Sequence, residues 1–250
     1  MLDLEGFPMQ LSGSAVLVTG ASRGLGASLA EQLARRGARV VAVAREAATL
    51  EPVVDRIRAA GFEAHALVGD QGERDAVYPL VGAATALVGP IDVLVLNAST
   101  LGPLPLRELA DTECEDFARV LEVNLLGPFR LTKAVVGSMV VRGGGLVVGL
   151  SSDAAVNGYP GWGAYGVSKA GLDHLFRTWA AELSETGVRF LSIDPGEMDT
   201  RMHADAMPDA DRAQLADPAR VAARIAGLLG AAELPPTGSR LELPGLESAA

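Results

Sequence analysis

This 250-residue chain has one cysteine, Cys114, so no internal disulfide can form, as suits a reducing compartment. Its neighbours from Asp111 to Asp116 are largely acidic and would raise rather than lower a thiol pKa. That argues against a reactive nucleophile and for a small, partly buried residue. No uninterrupted apolar stretch approaches the ~18 residues of a membrane span. The first fourteen residues combine no basic start with a long apolar middle, so no secretory signal is read there, and the cytoplasm is the expected location with no membrane partner. Positive charge is also short. A net charge of −10 offers no footprint for nucleic acid, though it leaves room for a local basic pocket. The three histidines, His65, His174 and His203, match no metal spacing and are expected to be structural. Aromatics make up only 4%, so the core must be mostly Val, Leu and Ala. No internal repeat or low-complexity linker divides the chain, and its length suits one domain.

What is present is 49% hydrophobic, arranged as short apolar runs alternating with longer amphipathic segments. The runs predict strands at Ala15–Thr19, Arg39–Ala44, Ala64–Val68, Val93–Asn97, Leu146–Ser151, Arg189–Ile193 and near Arg240–Leu243. Between them, helices are predicted at Leu25–Arg36, Ala47–Ala60, Arg74–Val88, Asp116–Val141, Tyr165–Glu185 and Pro218–Leu229. This alternation predicts an α/β fold: a single Rossmann-type, doubly wound parallel sheet with helices on both faces. The strands read as continuous apolar runs because both faces are buried. Gly37, Gly61 and Gly187 stand at helix C-cap positions, and Asp217-Pro218 reads as an N-cap followed by the first helical residue. The least regular stretch, Pro195–Ala216, follows a strand's C-terminal end, where open α/β sheets place ligands, and is expected to be a substrate lid.

Two residues four apart, Tyr165 and Lys169, carry the most chemistry, in a chain with only three tyrosines and two lysines. On a helix they share a face, so the ammonium is expected to stabilise the phenolate and bring a pKa near ~10 down. Ser152 lies thirteen residues earlier at the end of an apolar run. Its hydroxyl could donate to a substrate oxygen as charge develops there; Ser151 competes for that role. Near the start, Thr19-Gly20-Ala21-Ser22-Arg23-Gly24-Leu25-Gly26 joins a strand to a helix. Glycines there allow a tight turn and close approach of a pyrophosphate, with the helix N-terminus supplying free N–H groups. A phosphate-cradling turn with a phenol beside a cation points to carbonyl/alcohol redox chemistry with a nicotinamide cofactor.

These pieces occur together and in order. With Asp70, Asn97-Ala98-Ser99, Asn124 and Pro195-Gly196-x-x-x-Thr200, the chain resembles a classical short-chain dehydrogenase/reductase over residues 12 to 245. The resemblance implies that Tyr165 is the general acid/base and Lys169 also binds the nicotinamide ribose. It gives Ser152 the substrate oxygen, and has Asn124 kink its helix and hold a water that links Lys169 to solvent. It further implies that Asp70 binds the adenine amino group, that Asn97 and Ala98 brace the sheet and ribose, and that Thr200 holds the carboxamide. Ser99 stands where the family usually has Gly, and Gln71 replaces an apolar residue. Tyr159, Trp162, Leu101, Val156, Met198 and Met202 are expected to line a largely apolar pocket.

At the end of the second strand an NAD enzyme usually places a carboxylate for the ribose 2′-hydroxyl. Here Ala44 is followed by Arg45, and Arg23 lies in the glycine turn. Guanidinium groups pair with a 2′-phosphate, so NADP(H) is expected rather than NAD(H). Two alternatives stay open: an NAD-using enzyme of the same chemistry, and a non-catalytic NADP(H)-binding sensor or scaffold. The resemblance also implies a homodimer or homotetramer built on the helices Asp116–Val141 and Tyr165–Glu185. Leu243-Pro244-Gly245 replaces the Asp-Gly-Gly common after the last strand, which puts a C-terminal tetramer contact in question.

Overall fold

A computed structural model describes residues 10–243. Seven strands form one parallel sheet: β1 (Ala15–Thr19), β2 (Arg39–Ala44), β3 (Ala64–Val68), β4 (Val93–Leu96), β5 (Gly145–Leu150), β6 (Val188–Asp194) and β7 (Ser239–Glu242). Their spatial order is β3-β2-β1-β4-β5-β6-β7, with every neighbouring pair parallel. Parallel neighbours require crossovers, supplied by α1 (Gly24–Arg35), α2 (Ala47–Ala59), α3 (Val77–Val88), α4 (Cys114–Leu121), α5 (Gly127–Val141), α6 (Gly163–Glu182), α7 (Arg201–Ala206) and α8 (Pro218–Leu229). Side chains alternate across each strand. Val16 and Val18 of β1 therefore join the core under α1, α2 and α8, while Ala15 and Leu17 join the core under α3, α5 and α6. Burial on both sides explains why β4 and β5 are apolar throughout and β1 is apolar up to its final Thr19. The winding reverses between β1 and β4, and that switch point opens a crevice at the strands' C-terminal ends. Among the described residues no helix is long and apolar enough to cross a membrane.

Several boundaries differ from the sequence expectation. The helix expected over 116–141 is broken. α4 begins at Cys114, a π-helical turn occupies Glu122–Leu126, and α5 follows. Pro128 explains the break: it has no N–H for the bond to the Asn124 carbonyl that a continuous α-helix requires. The Gly127 N–H reaches back five residues to Glu122 O instead. Cys114 itself is exposed, not partly buried. α6 stops at Glu182 rather than Glu185, so Gly187 (φ +75°) belongs to the turn entering β6 and is not its C-cap. Gly37 and Gly61 do follow their helices with positive φ, and the Asp217 side chain accepts from Ala219 N at 2.8 Å as the N-cap of α8. The 195–216 segment holds α7 and a 3-10 turn at Arg212–Gln214, and a parallel bridge between Met198 and Ala216 ties its two ends together. The Pro244-Gly245 reading lies outside the described residues.

The glycine turn is sterically enforced. Gly20 has φ +67°, and a Cβ there would stand 2.7 Å from Ala98 Cα. At Gly26 a Cβ would lie 2.2 Å from Gly20 O and 2.3 Å from Asn97 Nδ2. Gly26→Ala should therefore push the turn off β4's end and cost about 1–3 kcal/mol as local overpacking. A denaturant midpoint measurement checks this, and an unchanged midpoint would contradict the contact.

Candidate active site

The crevice at the switch point is a cleft of about 540 Å³. One wall is the turn after β1, where Gly20, Ser22, Arg23, Gly24, Leu25 and Gly26 all face the cleft. No side chain caps the start of α1, so its leading N–H groups are available to an anion. Arg45 lies at the rim after β2, on the same side as Arg23. Glu46 and Thr49 also line the cleft, and Glu46 places a carboxylate directly after Arg45 in the chain. Asp70, after β3, accepts from Gly72 N at 2.8 Å through Oδ1 and from Arg119 at 2.9 Å through Oδ2. Asn97 braces the sheet, donating from Nδ2 to Thr19 O at 3.0 Å and Gly20 O at 3.1 Å. Ala98 N donates to Thr19 Oγ1 at 3.1 Å. Opposite, Pro195 and Thr200 close the cleft. Thr200 caps α7 by accepting from His203 N at 3.2 Å, and Gly196 N donates to Asp194 Oδ1 at 3.0 Å outside the cleft lining.

Tyr165 and Lys169 stand one turn apart on α6, both buried, and both face the cleft. Lys169 Nζ donates to Leu150 O at 2.6 Å and lies 5.5 Å from the centre of the Tyr165 ring. Trp162 packs edge-on against that ring at 5.6 Å. The pair is therefore brought together, but its electrostatics differ from the sequence expectation. Burial pushes the phenol up to about 12, Ser152 pulls it down by hydrogen bonding, Asp194 and Asp153 push it up further, and Ser99 pulls it down. Ser99 Oγ is buried with no hydrogen-bond partner, whereas Ser152 Oγ is bonded to Asp153 and Ala154 N. Burial also drives Lys169 down to about 8, against Asp173 and Asp194. Among the protein's own groups desolvation outweighs the lysine's charge, and the phenol is held as a proton donor at neutral pH.

This has a consequence for stability. Below pH ~8 both folded and unfolded chains carry Lys169 charged, and the folded state bears the full cost of burying it. Between about 8 and the ordinary 10.5 the folded chain sheds that proton first, so stability should rise with pH. Above ~10, ionisation of tyrosine in the unfolded chain ahead of Tyr165 opposes the rise. Denaturation at pH 8 and 10 should show a gain on the order of 2 kcal/mol in wild type that Lys169→Met lacks. An equal gain in both would refute it.

The two serines differ in their partners and placement. Ser151 lines the cleft, but its Oγ is committed to Asp173, donating to Oδ2 at 2.8 Å, whereas Ser152 lies outside the cleft lining. Ser152 Oγ donates to Asp153 Oδ1 at 3.0 Å and accepts from Ala154 N at 3.2 Å. Asn124, in the π-turn, is buried beneath: its Oδ1 accepts from Thr100 N at 2.8 Å, and its Nδ2 donates to Thr100 O at 2.8 Å and Ser168 Oγ at 3.0 Å. It thus ties α6 to the loop after β4. Of the expected pocket residues, Leu101, Met198 and Met202 face the cleft, whereas Val156 and Tyr159 are exposed, with the Tyr159 hydroxyl donating to Asp153 Oδ2 at 2.8 Å. A smaller recess beside Tyr165 is lined by Leu101, Pro103, Leu106 and Arg107. Sequence reasoning missed Arg119, which binds Asp70, and Arg240, which donates to the Ser152 carbonyl at 3.0 Å. Neither belongs to a local motif; each arrives from a distant segment.

The sequence matches the short chain dehydrogenase family profile over residues 14–211. A short chain dehydrogenase from Pseudocercospora fijiensis is 38% identical over 202 residues, covering 80% of this chain and 64% of that protein; the match thus spans under two thirds of the relative's length. Among solved structures, a short chain dehydrogenase from Burkholderia cenocepacia in complex with NADP superposes with a TM-score of 0.83 at 29% identity, covering 94% of this chain and 97% of the other. A 7α-hydroxysteroid dehydrogenase complexed with NADH and 7-oxo glycochenodeoxycholic acid gives 0.85 at 28% identity and 95% of both chains. The family match begins just before β1 and runs through α6 into the segment that closes the cleft, and so the chain belongs to the short-chain dehydrogenase/reductase family of oxidoreductases.

Proposed function

We propose that this protein is an NADP(H)-dependent oxidoreductase interconverting a carbonyl compound and a secondary alcohol, with Tyr165 as general acid in reduction and general base in oxidation. The observation that carries this reading is the burial of Tyr165 and Lys169 together at the floor of a cleft that begins at the uncapped α1 N-terminus. The protein's residues fit such a cofactor. Gly20 and Gly26 leave a turn with no room for side chains on its packed side, the α1 N–H groups suit a pyrophosphate, and Arg23 and Arg45 suit a 2′-phosphate. Asp70 suits the adenine amino group, Asn97 and Ala98 the ribose edge, and Thr200, with Pro195 and Gly196, the carboxamide end. When bound, the nicotinamide supplies or accepts the hydride and, oxidised, adds a positive charge.

The remaining work falls to the chain. Tyr165, protonated at neutral pH, gives its hydroxyl proton to the oxygen of a carbonyl substrate. Ser152 turns its O–H from Asp153 toward that oxygen as negative charge builds there. Lys169, held on Leu150 O, provides a cation beside the phenol and a donor for a ribose hydroxyl. Asn124 keeps α6 in register with the loop after β4, and a water on it would link Lys169 to solvent. The Burkholderia relative's NADP and the hydroxysteroid enzyme's NADH leave the cofactor choice to the arginines. In the same reading the protein is a single domain that works in the cytoplasm as a homodimer or homotetramer through the outer faces of α4, α5 and α6, with the 195–216 segment as its lid. A panel of ketones and aldehydes with NADPH, followed by loss of cofactor absorbance, tests the proposal. No turnover with any carbonyl while NADPH binds tightly would favour a sensor or scaffold instead.

A further inference from the structure

Behind the catalytic face lies a buried layer of charge that the reaction does not itself use. Tyr165, Lys169 and Asp173 follow one another at helical-turn spacing along α6, and all three are buried. Asp173 meets Arg240 of β7, whose Nε donates to Asp173 Oδ2 at 3.1 Å. Arg240 Nη2 donates to Asp194 Oδ2 at 2.9 Å and to the Ser152 carbonyl at 3.0 Å, and Nη1 pairs with Glu242. Its side chain is only 13% exposed, and those of Asp173 and Asp194 are 4% and 8%. Asp173 also receives the Ser151 hydroxyl, and Asp194 receives Gly196 N, next to the cleft residue Pro195. One guanidinium thus touches the β5 end that carries Ser152, the β6 end that opens the cofactor-side loop, and the helix that carries the phenol and ammonium.

We propose that Arg240 is a positioning residue for this site: through Asp173 and Asp194 it balances the buried charge under Lys169, and through the Ser152 carbonyl it fixes the serine's place. The proposal rests on the reading of Tyr165, Lys169 and Ser152 given above. The groups that face Lys169 are Tyr165 and Asp173 on α6, Asp194 on β6, the Leu150 carbonyl on β5 and, one shell out, Arg240 and Glu242 on β7 and Asp153 after β5. Counted as charges, Lys169 and Arg240 offset Asp173 and Asp194. Burial opposes the charge on Arg240, but Glu242, Asp194 and Asp173 together hold it charged. Without the guanidinium, two buried carboxylates would face one ammonium. Lys169 would then hold its proton to higher pH, and the phenolate of Tyr165 would be further disfavoured.

The chain's two lysines, Lys133 and Lys169, make a direct test possible on the full-length protein without any substrate. With lysine enriched in carbon-13 at Cε, an NMR titration gives two resonances, assigned by Lys133→Arg. The wild-type Lys169 midpoint is expected near about 8. Arg240→Met should raise it by about one unit or more, Asp173→Asn alone should lower it, and the double variant should return close to wild type. If Arg240→Met folds and the midpoint stays in place, or if the double variant remains as displaced as the single, the proposal is wrong. A purely structural Arg240 would lower the melting temperature and leave the titration unmoved. Should Arg240→Met not fold, Arg240→Gln, which keeps a hydrogen-bond donor without the charge, replaces it, and an unchanged midpoint there overturns the charge balance. None of these outcomes depends on turnover, so they stand apart from a failure of the carbonyl assay.

Discussion

Tyr165→Phe should reduce carbonyl turnover by about 10³-fold, within the range of about 10²–10⁴ that a positioned general acid supplies, while NADPH binds nearly as before. The substitution removes one oxygen and keeps the ring. The ring's edge-on contact with Trp162 and its position 5.5 Å from Lys169 Nζ are both retained, so neither packing nor the cation is disturbed. The lost group is a proton donor whose pKa burial has pushed to about 12. Such a phenol is fully protonated at neutral pH, so it suits the reductive direction from the outset. Oxidation of an alcohol needs the phenolate, so it should speed up with rising pH and level off once the phenol is ionised, at a pH that a nearby positive charge lowers. Measuring kcat and the NADPH dissociation constant for wild type and variant separates the two contributions. Turnover within tenfold of wild type would remove Tyr165 as the acid. Loss of NADPH binding in parallel would make the phenol a cofactor ligand first.

The strands were legible because burial on both faces leaves little polar alternation to misread: β1 and β2 run as expected, and β3, a partly exposed edge strand, keeps the same bounds. Helix ends were less so, for reasons seen in particular residues. Pro128 breaks what periodicity reads as one helix, since hydrophobic spacing is blind to a single missing N–H. Gly187 signals a left-handed turn correctly but cannot say whether a helix or an intervening loop precedes it. In the site, Tyr165 and Lys169 were readable because i and i+4 is a local relation. The sign of their pKa shifts was not, because desolvation depends on what the rest of the chain packs over them. Arg119 on Asp70 and Arg240 on Asp173 span 49 and 67 residues, and no short motif encodes either. Likewise, nothing local distinguishes Ser151 from Ser152; the hydrogen bond that occupies the Ser151 hydroxyl is accepted by Asp173 on α6, 22 residues away.

Arg45→Asp should lower NADPH affinity by about 10²-fold or more and leave NADH affinity within a few-fold of wild type. Arg45 and Arg23 flank the cleft where β2 and the glycine turn meet, and a guanidinium–phosphate hydrogen bond is among the stronger polar contacts, worth about 1.5–3 kcal/mol. The substitution forfeits that contact and adds repulsion between a carboxylate and the doubly charged phosphate, so the two effects compound to about 3–4 kcal/mol, or several hundredfold. Glu46 makes the outcome more demanding. It lines the same corner beside Arg45, and with Arg45 gone two adjacent carboxylates would confront the phosphate, whereas the ribose hydroxyls of NADH would gain an acceptor. Arg23→Ala supplies the control. It removes one cation without adding an anion, so its loss of NADPH affinity should be the smaller of the two. Titration of both cofactors against the three proteins separates the cases. An equal loss for NADPH and NADH would mean that Arg45 shapes the rim without contacting a 2′-phosphate. Cofactor preference would then have to come from elsewhere in the cleft, with Glu46 and Thr49 the next side chains to replace.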